Sequence, residues 1–116
     1  MSDPQLYFNP RCSKARSARD LLDARGIHYE TVAYLEHAPS AADLTDLVAK
    51  LDGKPADLVR KDPRFKELGL KAADYVTAEA VVGLLAAYPE LIERPVFVVG
   101  DRAVIGRPPE RVLDLL

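Results

Sequence analysis

The first third of the chain carries a pattern that few folds accommodate. An apolar run, a helical stretch and a second strand-like run follow one another between Gln5 and Tyr34. Gln5-Leu6-Tyr7-Phe8 reads as a strand, stopped by the turn dipeptide Asn9-Pro10. Ser13 to Arg25 has helical composition with Ala18, Leu21 and Leu22 on one face, and Gly26 stands where a C-terminal cap belongs. His28 to Tyr34 holds Tyr29, Thr31, Val32 and Tyr34 and reads as a second strand. Strand, helix and strand within roughly 30 residues form a βαβ unit, whose two strands must run parallel.

The rest of the chain extends this start. Ser40 and Asp43 make a capping box ahead of Leu44, Leu47, Val48 and Leu51, which recur with helical spacing. Pro55 can open a short helix carrying Leu58, Val59 and Arg60, and Asp62 to Leu70 reads as irregular between Pro63 and Gly69. Thr77 caps a further helix with Val81, Leu84, Leu85 and Tyr88 on its inner face. Strand character returns at Val96-Phe97-Val98-Val99 and Ala103-Val104-Ile105 around the hairpin loop Gly100-Asp101-Arg102. Pro108-Pro109 opens a last helix, with Val112, Leu113 and Leu116 expected inside. A βαβ half joined to a ββα half is the thioredoxin arrangement. The expectation is therefore one α/β domain over residues 1–116: three layers, a mixed four-stranded sheet, and extra helices between the two halves.

Composition excludes several functions. With 116 residues, 48% of them hydrophobic, the chain suits a single core. Sixteen basic against eighteen acidic residues give a net charge of −2, which offers no electrostatic footprint for nucleic acid or an anionic membrane. Any anion site must be local, built by a few arginines brought together. No apolar run approaches the roughly 18–20 residues of a membrane span. Met1-Ser2-Asp3-Pro4 lacks the regions of a signal peptide, so a cytoplasmic location is expected. A single cysteine forms no internal disulfide and anchors no zinc cluster, so no metal is expected.

That cysteine is the most informative residue. Asn9-Pro10-Arg11-Cys12-Ser13-Lys14-Ala15-Arg16 puts Cys12 where the first strand hands over to the first helix. A helix start exposes unpaired N–H groups and a partial positive charge, which favour a thiolate and can cradle an oxyanion. Arg11, Lys14 and Arg16 add positive charge where a helix start ordinarily disfavours it. A buried space-filling role for Cys12 would leave that cluster unexplained. The position that holds the second thiol of a Cys-x-x-Cys pair is Ala15, so Cys12 must be resolved by a thiol from elsewhere.

The motifs resemble those of the glutathione- and glutaredoxin-dependent arsenate reductases. Tyr7-Phe8-Asn9-Pro10-Arg11-Cys12-Ser13-Lys14 is similar to the family's active-site loop, and Tyr34-Leu35-Glu36 with Pro39-Ser40 to its connector after the second strand. Leu58-Val59-Arg60-Lys61, Arg94-Pro95 before Val96, and Gly106-Arg107-Pro108-Pro109 resemble the segments carrying its three anion-binding arginines. The resemblance implies Cys12 as nucleophile, and Arg60, Arg94 and Arg107 holding arsenate together with the helix start Ser13, Lys14, Ala15 and Arg16. It implies Asn9, Pro10 and Pro95 as structural residues at the site, with Pro95 a cis-proline facing the cysteine. It also implies glutathione as co-substrate with no tightly bound cofactor, glutaredoxin as partner, and a monomer.

Two positions depart from the family pattern. Phe8 stands where members active on arsenate tend to carry histidine, and Ala15 where they carry serine or threonine; neither side chain can hydrogen-bond. The reductase class is thus implied more directly than the oxyanion. Two other readings share the fold: a Spx-like transcription regulator binding RNA polymerase, and a glutathione-dependent thiol-disulfide reductase. The first ordinarily uses a Cys-x-x-Cys switch, which Ala15 removes. His28 and His37 match no catalytic position and read as structural or exposed.

Overall fold

The computed structural model describes residues 4–116. Four strands, β1 (Gln5–Tyr7), β2 (Glu30–Val32), β3 (Val96–Val99) and β4 (Arg102–Ile105), form one sheet in the order β2-β1-β3-β4. β1 and β2 are parallel, whereas β3 is antiparallel to both β1 and β4. This is the mixed four-stranded thioredoxin arrangement. The crossover from β1 to β2 is α1 (Ser13–Ala24), which ends at Gly26 with φ +67°. There the Gly26 N–H donates to Asp23 O at 3.0 Å and the Ile27 N–H to Leu22 O at 3.1 Å. Those two bonds satisfy terminal carbonyls, in a backbone conformation that glycine adopts without a steric cost.

Strand alternation divides the core in two. Leu6, Phe97 and Val104 are register partners and point to one face, where Ala18 and Leu22 of α1 and Val112 cover them. Tyr7, Val96, Val98 and Ala103 point to the other, under α2 (Ala41–Lys50) and α4 (Ala78–Ala87). The capping box is formed: Ser40 Oγ accepts from the Asp43 N–H at 3.1 Å, and Asp43 Oδ2 from the Ser40 N–H at 3.3 Å. Thr77 Oγ1 caps α4 by accepting from the Ala80 N–H at 3.2 Å. Such caps contribute about 1 kcal/mol each. No helix among the described residues is long and apolar enough to cross a membrane.

Several local expectations give way to tertiary geometry. β2 stops at Val32, because the Ala33 carbonyl accepts from the N–H groups of Glu36 and His37 and turns the chain off the sheet. The turn Pro55–Leu58 is a 3-10 helix, and Val59 and Arg60 leave it extended. There they pair with the segment ahead of β3 through the Val59–Ile92 bridge. The stretch read as irregular contains α3 (Pro63–Glu67), capped by Asp62 Oδ1 on the Phe65 N–H at 3.2 Å, with Pro63 at its first position. Arg102 belongs to β4, so the hairpin loop is Gly100-Asp101. The last helix, Pro109–Leu115, is 3-10. Three residues per turn align Pro109, Val112 and Leu115 toward the sheet, and Leu116 is 54% exposed instead of buried.

Candidate active site

The sheet register gathers distant segments at one end. Tyr7 pairs with Val32 in parallel and with Val96 in antiparallel register, and Val96 pairs with Ile105. The chain leaving β1, leaving β2, approaching β3 and leaving β4 therefore meets at one edge. Those four segments carry Cys12, Tyr34, Arg94-Pro95 and Gly106-Arg107. Arg60 arrives beside them, because its N–H donates to Leu91 O at 2.7 Å and the Glu93 N–H donates to Leu58 O at 2.7 Å.

Cys12 is the N-cap residue of α1, with φ −95° and ψ 121°. Asn9 builds the loop that holds it. The Asn9 side-chain oxygen accepts from the Arg11 N–H at 2.9 Å, and its carbonyl accepts from the Cys12 N–H at 3.0 Å. Asn9 is buried, so these bonds replace those it would make to water. Pro10 is exposed, and its carbonyl accepts from Arg16 Nη1 at 2.8 Å. The Arg16 N–H is bonded to Cys12 O at 3.1 Å. Arg16 therefore braces the loop through its backbone N–H and through one guanidinium nitrogen.

The thiol is 7% exposed and feels opposing influences. Burial is the largest and pushes its pKa up. The Ala15 N–H, the Arg94 guanidinium (by hydrogen bonding and by charge) and the Lys14 N–H pull it down, and the balance lies below the ordinary value. The N–H groups of Ala15 and Lys14 face the sulfur but stop short of a regular capping bond. The pH profile of iodoacetamide alkylation should accordingly have its midpoint below about 8.5, the ordinary thiol value. A midpoint at or above it removes the activated thiolate.

Arg107 reaches Cys12 directly, with Nη2 3.7 Å from Sγ. Its Nε is fixed by Arg94 O at 2.8 Å and by Glu93 Oε1 at 3.1 Å. Glu93 Oε1 also accepts from the Arg94 N–H at 3.1 Å. One carboxylate thus orients the backbone and the guanidinium that face the thiol. Sequence reasoning passed over Glu93, although its place immediately before Arg94-Pro95 was a usable signal. Arg94 is buried, and the Arg94–Pro95 peptide is cis. Gly106 lies against Pro95, where an added Cβ would stand 2.8 Å from the proline ring. Only a glycine lets β4 deliver Arg107 this close.

Arg60 is the exception among the three arginines. Its Nη1 is paired with Asp62 at 2.8 Å, and its charge bears on the Tyr34 hydroxyl. Phe8 packs with the Leu6–Phe97 core, and the Arg19 guanidinium sits 5.6 Å from its ring centroid. Ala15 is fully buried and acts on Cys12 through its backbone N–H.

This arrangement has known relatives. A family model described as the ArsC family matches residues 7–115. The chain belongs to the ArsC family. It is 39% identical over 118 residues to an arsenate reductase of Neisseria meningitidis, covering the whole of both chains. It is 42% identical over 114 residues to protein YfgD of Escherichia coli, covering 97% of this chain and 95% of that one. Among solved structures, the arsenate reductase from Vibrio cholerae superposes with a TM-score of 0.88 at 36% identity, covering 98% of each chain. Such agreement of an ArsC-family chain with a solved ArsC-type fold accounts for the inserted helices as part of the family architecture.

Proposed function

We propose that this protein is an arsenate reductase coupled to glutathione and glutaredoxin, with Cys12 as nucleophile and Arg94 and Arg107 as the principal anion-holding groups. The observation that carries the reading is the pair of guanidinium groups converging on the sulfur, Arg107 at 3.7 Å and Arg94 buried beside it, at a helix start. Guanidinium forks match the oxygens of a tetrahedral anion, and preorganised positive groups stabilise the charge that shifts during attack at arsenic. The N–H groups of Ser13, Lys14 and Ala15 add donors at the same place. Arg60, paired with Asp62, contributes through its charge.

The cycle has three steps. Cys12 thiolate forms a bond to arsenic(V) as hydroxide or water leaves. The glutathione thiolate then forms an S–S bond with Cys12 Sγ as the Sγ–As bond breaks, and the electron pair left on arsenic makes arsenite. Glutaredoxin finally attacks the glutathione sulfur and releases Cys12 thiolate. Cys12 is the chain's single cysteine, so the second thiol comes from outside. A depression of about 480 Å³ beside Arg107, lined by Asp52, Asp57, Lys61, Glu93, Arg107 and Arg111, carries both signs of charge and suits a small zwitterionic thiol peptide. In this reading the protein works as a cytoplasmic monomer, where thiols are kept reduced.

Two measurements test it. Arsenite should form from arsenate only when glutathione and glutaredoxin are both supplied. Oxidised glutathione should add one glutathione per chain, on Cys12, visible by mass spectrometry and removed by glutaredoxin. A disulfide-linked dimer as the sole product, with no arsenate turnover, would sink the proposal.

A further inference from the structure

Two buried side-chain polar atoms among the described residues lack a hydrogen-bond partner: the Tyr34 hydroxyl and Arg94 Nε. Buried donors are almost always satisfied, and an orphan costs more than the bond it could have made. Their coincidence at one site calls for a common cause. Tyr34 is fully buried at the end of β2, its ring 6.3 Å from that of Tyr7 and tilted by 31°. The hydroxyl lies among the groups of the thiol site. Arg94, Cys12 and Arg60 all act on it by charge, and the Asn9 amide lies beside it without closing a hydrogen bond. Burial foremost pushes its pKa up to about 12, so it keeps its proton at any working pH. It is thus a neutral donor held among cations and next to the nucleophile.

We propose that Tyr34 contacts the substrate, its hydroxyl donating a hydrogen bond, alongside Arg94 Nε, to the oxyanion seated against Cys12. The inference rests on the oxyanion reading of the site. It supplies what that reading lacks at Phe8 and Ala15, a polar side chain close to the thiol that is not a charge. It also gives Arg60 a place: its charge bears on the Tyr34 hydroxyl. A tetrahedral oxyanion presents more acceptor positions than Arg107 and Arg94 alone can fill, and a phenol donor adds a direction that the guanidinium forks leave open.

The test is protection of Cys12 from iodoacetamide by arsenate, comparing wild type with Tyr34→Phe. The substitution keeps the ring in place and removes only an orphaned hydroxyl, so the melting temperature should not fall. Alkylation without arsenate should stay within twofold of wild type. The arsenate concentration for half-protection should rise about tenfold or more, the ordinary worth of a hydrogen bond to a charged group. A second measurement needs no substitution: with ¹³Cζ-labelled tyrosine, one of the five tyrosine resonances should shift on adding arsenate, and that resonance should be the one missing from Tyr34→Phe. Equal protection of both proteins, with no tyrosine shift, overturns the Tyr34 contact and leaves the oxyanion reading standing. No protection even of wild type overturns both.

Discussion

Cys12→Ser should abolish the proposed arsenate reduction, with a loss in kcat/KM of about a thousandfold or more, while the protein stays folded. The loss is expected because a serine hydroxyl is not ionised near neutral pH and cannot accept the glutathione sulfur in the second step. The fold survives for a local reason. Cys12 is the N-cap of α1 and makes no regular side-chain capping bond there, whereas serine is among the preferred residues at that position. A stabilising shift of up to about 1 kcal/mol is in range, offset by what Arg107 loses when its sulfur contact at 3.7 Å goes. Turnover assays and a thermal melt followed by circular dichroism check both halves. Activity within tenfold of wild type would mean that Cys12 is not the nucleophile. A collapsed melt would mean that it is a packing residue.

Arg94→Met separates function from stability in the same way, by a different route. Arg94 is buried with its Nε unpartnered, and burying a charge with incomplete bonding is costly. Methionine has a similar length, fills irregular space and carries no charge. The backbone bonds at this position survive, since Arg107 Nε uses Arg94 O and Glu93 uses the Arg94 N–H. The melting temperature should therefore hold or rise. Turnover should fall about a hundred- to a thousandfold, the usual cost of removing a preorganised donor from developing charge. The alkylation midpoint of Cys12 should also move up in pH, because Arg94 is one of the groups pulling the thiol down. Arg94→Lys should recover the midpoint better than the turnover, since it restores charge without the planar fork. A variant that loses stability and activity together, with the Cys12 midpoint unmoved, would make Arg94 a structural residue only.

The stability side of these outcomes reflects a common pattern. Groups turned toward a substrate are left incompletely satisfied in the protein alone. Here the incomplete groups are a cysteine N-cap, a buried guanidinium and a buried phenol, and all three lie where β1 and β2 end and β3 begins. Glu93 limits the cost. It holds Arg107 Nε and the Arg94 N–H in place from one side, so that among the buried guanidinium nitrogens Arg94 Nε is the one left without a partner.

The order of elements was written locally in the chain. The strand run at Leu6, the helix ending on Gly26, the Ser40–Asp43 box and the Val96-to-Ile105 hairpin each depend on neighbours within a few residues, so spacing and cap chemistry were enough to read them. Cys12 was legible for the same reason, as a helix start is a local feature with a known effect on a thiol. Arg94 and Arg107 could be suspected only through the family resemblance, because nothing within a few residues of either shows what it faces. The tertiary structure decided their convergence, through a register that pairs Tyr7 with Val96 and Val96 with Ile105 and so brings Arg107 to a cysteine 95 positions earlier. It also decided what no spacing could state: that Arg60 turns to Asp62, that Arg16 braces the loop, and that the Tyr34 hydroxyl is buried without a partner. Side-chain pairing depends on which groups meet after packing, and burial turns an ordinary tyrosine into a donor in need of an acceptor; both are properties of the assembled sheet and its two covering layers.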